Sequence, residues 1–321
     1  MLGGSVRTYM SNGSFLETSH RMWHEALRAS RGGSPVLIIG ETGAGKEVLA
    51  RYIHEKSKGG RGDGFVALNC AAIPENLFES ELFGHTKGSF TGADKDKAGL
   101  IEAADGGTLF LDEVEEMPVP MQVKLLRAIE QKEYRRIGET DVRKSDFRLI
   151  CATNKDLDEL VWEGRFRKDL YYRINVIEIV VPPLRERMDD IPVFVEYFIH
   201  QFTKKEVKVS VNVMERFLCY TWPGNIRELR NVIESSVLRL GEDEKTLELE
   251  HLPSNKFEDC SLYNNGIMSL REREKCFRSI MIREAMNSNR GDYRKVMDEL
   301  HVTKDMIYRA IRKFAKRTDK W

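Results

Sequence analysis

Residues 36–50 read VLIIGETGAGKEVLA, and that stretch decides the fold. Val36–Ile39 is an unbroken apolar run, the pattern of a short strand buried on both faces. Gly40-Glu41-Thr42-Gly43-Ala44-Gly45-Lys46 then fits G-x-x-x-x-G-K, and a helical run, Glu47–His54, follows it. Strand, glycine-rich turn and helix in that order form the setting in which backbone amides wrap a phosphate. Only small residues permit so close a wrap. The helix N-terminus adds partial positive charge, and Lys46 reaches the outer phosphates. Glu47 stands where a hydroxyl usually follows the lysine, so Mg²⁺ needs water or another side chain in its place.

Working outward, four more short apolar runs appear: Phe65–Leu68, Thr108–Leu111, Phe147–Ala152 and Val176–Val181. Five strands separated by amphipathic or irregular segments predict an α/β fold, a largely parallel sheet with helices on both faces. After Pro182-Pro183 the strand pattern stops. Asp190–Phe202, Val211–Tyr220 and Asn225–Leu240 carry helical spacing, with Ile191, Phe194, Val195 and Phe198 on one face and Leu229, Val232, Ile233 and Val237 on another. These predict an α-helical subdomain. Trp222-Pro223-Gly224-Asn225 breaks the chain and caps the helix carrying Arg227, which would reach a nucleotide from that subdomain.

Ser254–Gly266 is polar and aperiodic, the composition of a linker. Beyond it lie three helical patterns, Leu270–Asn287, Tyr293–His301 and Thr303–Phe314. The last places Ile307, Ile311 and Phe314 on one face. Two short helices joined by His301-Val302-Thr303 have the proportions of a helix-turn-helix, and equally of a small dimerising bundle.

The chain has 321 residues, 51 Lys+Arg and 51 Asp+Glu, yet the balance conceals an asymmetry. Residues 269–321 carry 15 basic and 8 acidic side chains, a net of +7, and residues 1–268 a net of −7. A basic tail on an acidic body suggests that any nucleic acid binds at the C-terminus. No stretch approaches the roughly 18–20 apolar residues of a membrane span, and the first 20 residues lack the apolar core of a signal peptide. Five cysteines, an odd number without paired metal spacing, read as buried thiols in a reducing cytosol.

Thr108-Leu109-Phe110-Leu111-Asp112-Glu113 supplies the second half of a nucleotide site. A strand ending in two acids sets them at the carboxyl edge of the sheet, where ligands bind in such folds. Asp112 would organise Mg²⁺ and Glu113 would polarise the attacking water of ATP hydrolysis. Thr153-Asn154, at the end of another strand, would sense the γ-phosphate or simply form a turn. Arg167 and Arg173 would act as arginine fingers across a subunit boundary, or pair with their neighbours as surface arginines do.

Residues 81–93 read ELFGHTKGSFTGA. Small residues surround Phe90 and Thr91, in a stretch with neither helix nor strand period. A glycine-flanked aromatic is suited to docking on a partner; its bland alternative is that Phe90 tucks into the body. With this segment, the phosphate loop and the Asp112-Glu113 pair in place, the chain resembles the bacterial enhancer-binding proteins, AAA+ ATPases that activate sigma-54 RNA polymerase. The resemblance runs from about residue 13 to 252, and more loosely through the C-terminal helices. That family's loop reads Gly-Ala-Phe-Thr-Gly-Ala and follows Glu-Leu-Phe-Gly-His, so Gly88, Ser89, Phe90, Thr91, Gly92 and Ala93 match it, with serine for the first alanine. Its pattern also has glutamate after the lysine, at Glu47.

The resemblance implies a ring, usually a hexamer, with ATP between subunits and Mg²⁺ alongside it. It implies that Asn69 links Glu113 to loop movement, that Thr153 and Asn154 form a first sensor and Arg227 a second, and that Arg167 and Arg173 are the fingers. Arg135-Arg136-Ile137-Gly138 matches a second pore-side loop. It further implies a Fis-like helix-turn-helix at the C-terminus that binds upstream DNA through Thr303, Lys304, Tyr308, Arg309 and Arg312. Two departures stand there: Asn289-Arg290-Gly291-Asp292-Tyr293 replaces a Gly-Asn start, and Val296-Met297 replaces two alanines.

The expected organisation is a tail over 1–12, the α/β subdomain over 13–182, the lid over 183–253, a linker over 254–268 and the DNA-binding domain over 269–321. The short N-terminal tail is similar to that of the phage-shock and Hrp-type activators, which are controlled by abundance or by an inhibitor or hetero-partner in trans. The implied location is the cytoplasm, without membrane insertion. The rival readings are a DNA-binding regulator of the same ancestry that acts on other polymerase forms, an AAA+ motor outside transcription, and a nucleotide-gated scaffold without turnover.

Overall fold

The computed structural model describes residues 17–57, 64–253, 257, 278, 282, 285, 289, 292–304 and 306. They divide into two compact units, one spanning Arg21–Pro183 and the other formed by the described residues on either side of it.

The first unit is built on a sheet of β1 (Val36–Ile39), β2 (Phe65–Asn69), β5 (Thr108–Asp112), β8 (Arg148–Thr153) and β9 (Ile177–Val180). Each strand lies within one residue of its expected ends. The order is β2-β5-β8-β1-β9, parallel throughout. Parallel neighbours require crossovers, and these carry the helices that cover the two faces. Alternation along each strand sorts the core. Val36, Ile38, Phe110, Ile150, Ala152 and Ile179 face α1 (Glu17–Ala29) and α2 (Lys46–Lys56), which bury Met22, Ala26, Leu49, Ala50 and Ile53 among them. On the opposite face Leu37, Leu109, Leu111, Leu149 and Cys151 join α3 (Glu75–Phe83), α5 (Val119–Gln131), α6 (Leu157–Trp162) and α7 (Lys168–Ile174).

Arg148 is a charge inside this core. Its guanidinium donates to the Ala29 carbonyl (2.7 Å) and to Ser57 Oγ (2.6 Å), tying the start of β8 to the ends of α1 and α2. Burial pushes the Cys70 and Cys151 thiols well up, so both stay protonated and unreactive.

Two antiparallel ribbons have no counterpart in the sequence reading. β3 (Gly84–His85) pairs with β4 (Lys97–Ala98), and β6 (Glu133–Tyr134) with β7 (Arg143–Lys144), two residues a strand. α4 (Leu100–Ala103) follows the first ribbon.

In the second unit α8 (Ile191–Phe202), α9 (Val211–Cys219) and α10 (Asn225–Val237) enclose Ile191, Val195, Phe198, Phe217, Trp222, Leu229 and Ile233. Trp222, wholly buried with φ +51°, donates from Nε1 to the Phe217 carbonyl (2.7 Å). The expectation that strands end at Pro182-Pro183 is corrected: β10 (Lys208–Val209) and β11 (Thr246–Leu247) form a short parallel ladder, too brief to carry a period. Phe257, assigned to the linker from sequence, packs against Phe217, Tyr220 and Trp222. α11 (Tyr293–Leu300) begins at Asp292, whose side chain accepts from the Arg294 N–H, and buries Val296 against Ile282 and Ala285. The linker apart from Phe257, and most of the helical patterns over 270–287 and 303–314, lie outside the described residues.

Candidate functional site

Sheet order brings the nucleotide motifs together. β8 lies between β5 and β1, so Asp112, Thr153-Asn154 and Gly40 end three adjacent strands at one edge. Gly40 is required by packing, because a Cβ there would sit 2.8 Å from the Val181 carbonyl oxygen. Gly43 and Gly45 have φ of +76° and +104°, a backbone that other residues adopt only with strain and one that turns successive amides inward. Ala44 is buried beneath that turn, and its N–H bonds the Glu41 carbonyl (3.2 Å). α2 starts at Lys46, whose Nζ donates to the carbonyls of Gly40 (2.6 Å) and Glu41 (3.3 Å). Glu47 turns away: its carboxylate takes two bonds from Arg51, one helical turn on.

Asp112 pairs in register with Asn69 and accepts from the Glu113 N–H (3.1 Å). Burial raises its carboxyl above the usual range, against the opposing pull of the Lys46 ammonium. Glu113 holds φ +53°, strained for a residue with a side chain. Asn69 Oδ1 accepts from the N–H groups of Ala71 and Ala72, capping the turn Cys70–Ala72. Thr153 is fully buried and its hydroxyl bonds the Lys155 carbonyl, while Asn154 Nδ2 donates to Thr42 Oγ1 (3.1 Å).

Glu115 was not singled out from sequence. It is buried, and its Oε1 accepts from the Asn154 N–H (3.3 Å), joining the turn after Glu113 to the end of β8. Only the fold reveals this, since the partners lie 39 residues apart. The arrangement fits a nucleoside triphosphate and a hard cation: the glycine turn offers amides, and Asp112 and Thr42 offer oxygens.

Not every expected residue joins this edge. Arg167 caps α7 and is engaged by Asp169 through Nε (3.0 Å) and Nη2 (2.6 Å). Arg173 is exposed in the last turn of α7, with no ion-pair partner among the described residues. Arg227 is exposed in the first turn of α10, in the other unit.

The loop 88–93 is a small closed turn. Gly88 N–H bonds the Ala93 carbonyl (2.8 Å), Ala93 N–H the Phe90 carbonyl (3.0 Å) and Ser89 N–H the Thr86 carbonyl (3.2 Å). Gly88 and Gly92 have φ of +80° and +100°. Thr91 is exposed and Phe90 39% exposed. The segment 135–138 lies alongside: the N–H and hydroxyl of Thr86 both donate to the Ile137 carbonyl, and Ile137 N–H donates to the Gly84 carbonyl. Arg136 and Tyr134 bond Glu102 on α4, holding its carboxyl below the usual range through Arg136 first. Burial and the same carboxylate push Tyr134 up to about 12.

Of the expected DNA contacts, Thr303 Oγ1 accepts from the Met306 N–H (3.4 Å), and Lys304 Nζ lies 4.8 Å from the Tyr293 ring centroid. Tyr308, Arg309 and Arg312 lie outside the described residues. One group of potential metal ligands, Glu244, Glu250 and His251, is explained without a metal. His251 Nδ1 accepts from the Glu248 N–H, which puts the proton on Nε2, where it is donated to Glu244. No described helix is long and apolar enough to cross a membrane.

Comparison with known proteins agrees with this geometry. Residues 15–180 match the Sigma-54 interaction domain, and residues 185–261 the AAA+ ATPase lid domain. The chain is 44% identical over 301 residues to the putative uric acid sigma-54-dependent transcriptional regulator UacR of Escherichia coli, covering 88% of this chain and 50% of that protein. It is 40% identical over 319 residues to the luminescence regulatory protein LuxO of Vibrio campbellii, covering 95% and 69%. Among solved structures, NtrX from Brucella abortus in complex with ATP is similar at 30% identity with a TM-score of 0.66, over 92% of this chain and 67% of that one. The chain thus spans half of the UacR protein, and 40% of the transcriptional regulatory protein XylR of Pseudomonas putida.

Proposed function

The chain belongs to the sigma-54-interacting AAA+ ATPases, and from that premise we propose that it hydrolyses ATP to drive the Phe90 loop against sigma-54 RNA polymerase, opening a closed promoter complex. The observation that carries this is the convergence of Lys46, Asp112, Glu113 and Asn154 at one sheet edge, on the same unit as a glycine-hinged loop presenting Phe90 and Thr91.

In this reading the amides of Glu41–Lys46 and the Lys46 ammonium hold the phosphates, and Asp112 with the Thr42 hydroxyl would hold Mg²⁺, which when bound offsets charge on the outer phosphates. Glu113 accepts a proton from water as its oxygen attacks the γ-phosphorus. The bond to the β-phosphate oxygen breaks, leaving ADP and phosphate. Asn154 sits against Thr42 and orients the γ-phosphate or the water. Asn69, opposite Asp112, passes the change toward the loop. Arg167 and Arg173 act on the nucleotide of a neighbouring subunit in a ring, a hexamer by family resemblance, once Arg167 leaves Asp169. Arg227 contributes the second sensor.

The proposed organisation is the α/β subdomain over 13–182, the lid over 183–253 with Phe257 packed on its aromatic cluster, and the DNA-binding domain over 269–321. The basic C-terminal domain binds upstream DNA through the helix beginning near Thr303, and the tether raises the ring's local concentration at the promoter. The ring acts in the cytoplasm.

The test is transcription from a sigma-54 promoter in a purified system. Phe90→Ala should abolish open-complex formation while ATP turnover continues. Activation that survives the substitution would remove the loop from its role and favour a regulator that acts on other polymerase forms.

A further inference from the structure

His85 is a nearly buried imidazole that neither the nucleotide chemistry nor the partner contact employs. It ends the ribbon strand β3, held in register opposite Lys97, immediately before the Phe90 loop. Its Nδ1 is hydrogen-bonded to Ser80 Oγ on α3 (2.7 Å), and Ser80 is itself buried, so the ring has a fixed orientation. The ring meets Phe90 edge to face, centroids 5.0 Å apart at 65°. That geometry is among the favoured arrangements of an aromatic pair.

The loop's construction makes this contact consequential. Its tip closes on itself through the Gly88–Ala93 and Ala93–Phe90 backbone bonds, so it moves as one piece. Gly88 and Gly92 both have positive φ, and a Cβ at either would meet nothing within 4 Å. A side chain at either hinge would thus meet no neighbour, and two side chains of the tip reach the body of the protein. Phe90 rests on His85, and Ser89 packs against Gly138, where a Cβ would come within 2.6 Å of Ser89 Cβ. The Ser89 hydroxyl is buried there without a hydrogen-bond partner, so that second contact is poorly satisfied.

We propose that His85, oriented by Ser80, is a positioning residue that seats Phe90 on the body of the protein and sets how readily the loop is released to its partner. This rests on the reading that Phe90 contacts sigma-54, and it adds a resting state with named residues to that reading.

The experiment uses the full chain and two readouts. Amide hydrogen exchange across residues 86–93 reports the seat itself and requires no partner. Binding of fluorescently labelled sigma-54 without nucleotide reports its consequence. His85→Ala should speed exchange at Thr86 and Ser89, whose N–H groups bond carbonyls outside the tip, by about 2- to 10-fold, the scale of one aromatic contact, and tighten nucleotide-free sigma-54 binding by a similar factor. His85→Phe, which retains a ring, should restore slow exchange. Ser80→Ala, which leaves the imidazole unheld, should move both readouts in the direction of His85→Ala but less far. The gain in binding should vanish in the His85→Ala/Phe90→Ala double variant. Unchanged exchange in a folded His85→Ala protein overturns the proposal, as does a gain that survives Phe90→Ala. Should His85→Ala fail to fold, Ser80→Ala decides by the same exchange comparison. Should no variant bind sigma-54, the partner reading fails while the exchange readout still decides the seat.

Discussion

In the proposed mechanism Glu113 accepts the proton of the attacking water from a strained backbone. Its φ of +53° costs a residue with a side chain roughly 1–3 kcal/mol, and the strain aims a carboxylate just past the end of β5. Glu113→Gln preserves shape and removes the proton acceptor. Nucleotide should still bind, measured with a fluorescent ATP analogue, while steady-state turnover falls about 10²- to 10⁴-fold; near-normal turnover would remove Glu113 from its role. Glu115 acts one step behind, holding the Asn154 N–H. Glu115→Ala should lower kcat by about 3- to 10-fold, the scale of one hydrogen bond near 1 kcal/mol, with little change in KM. A change in KM alone would make Glu115 a nucleotide-binding residue instead. Why one glutamate was legible in the sequence and the other was not is a matter of range. Glu113 follows an apolar strand and Asp112, a pattern confined to neighbouring residues. Glu115 and Arg148 are defined by partners 39 and 119 residues away, and nothing local marks them.

At the scale of elements, the ribbons that flank the Phe90 loop are held by close backbone approach. Gly138 has φ +79°, and a Cβ there would lie 2.6 Å from Ser89 Cβ and 2.7 Å from Thr86 Oγ1. Gly138→Ala should therefore destabilise the protein by about 1–3 kcal/mol in urea unfolding, as overpacking does, and raise exchange across 86–93. Gly164 provides the comparison: its φ is +71° but its Cβ would meet nothing within 4 Å. Gly164→Ala should show the backbone cost alone, and equal losses at both positions would contradict the contact. The five sheet strands were legible because four to six consecutive residues carry an apolar pattern. The ladders of β3–β4, β6–β7 and β10–β11 have two residues a strand, too few for any period. Phe257 was hidden for a related reason: one aromatic in a polar stretch gives no sign of the cluster that receives it.

For the whole molecule, alternation of strand and helix foretold a parallel sheet but not the order of its strands. That order matters most, because placing β8 between β5 and β1 makes one site of three motifs far apart in the chain. The proposed contact of the Phe90 loop with sigma-54 rests on resemblance, since a glycine-flanked phenylalanine does not name its partner. The most direct measurement is capture of purified sigma-54 by this protein with ADP and aluminium fluoride, an ATP transition-state mimic, set against no nucleotide. The account predicts a stable complex that requires the mimic and is lost in Phe90→Ala. An intact ATPase that captures no sigma-54 under either condition would contradict it.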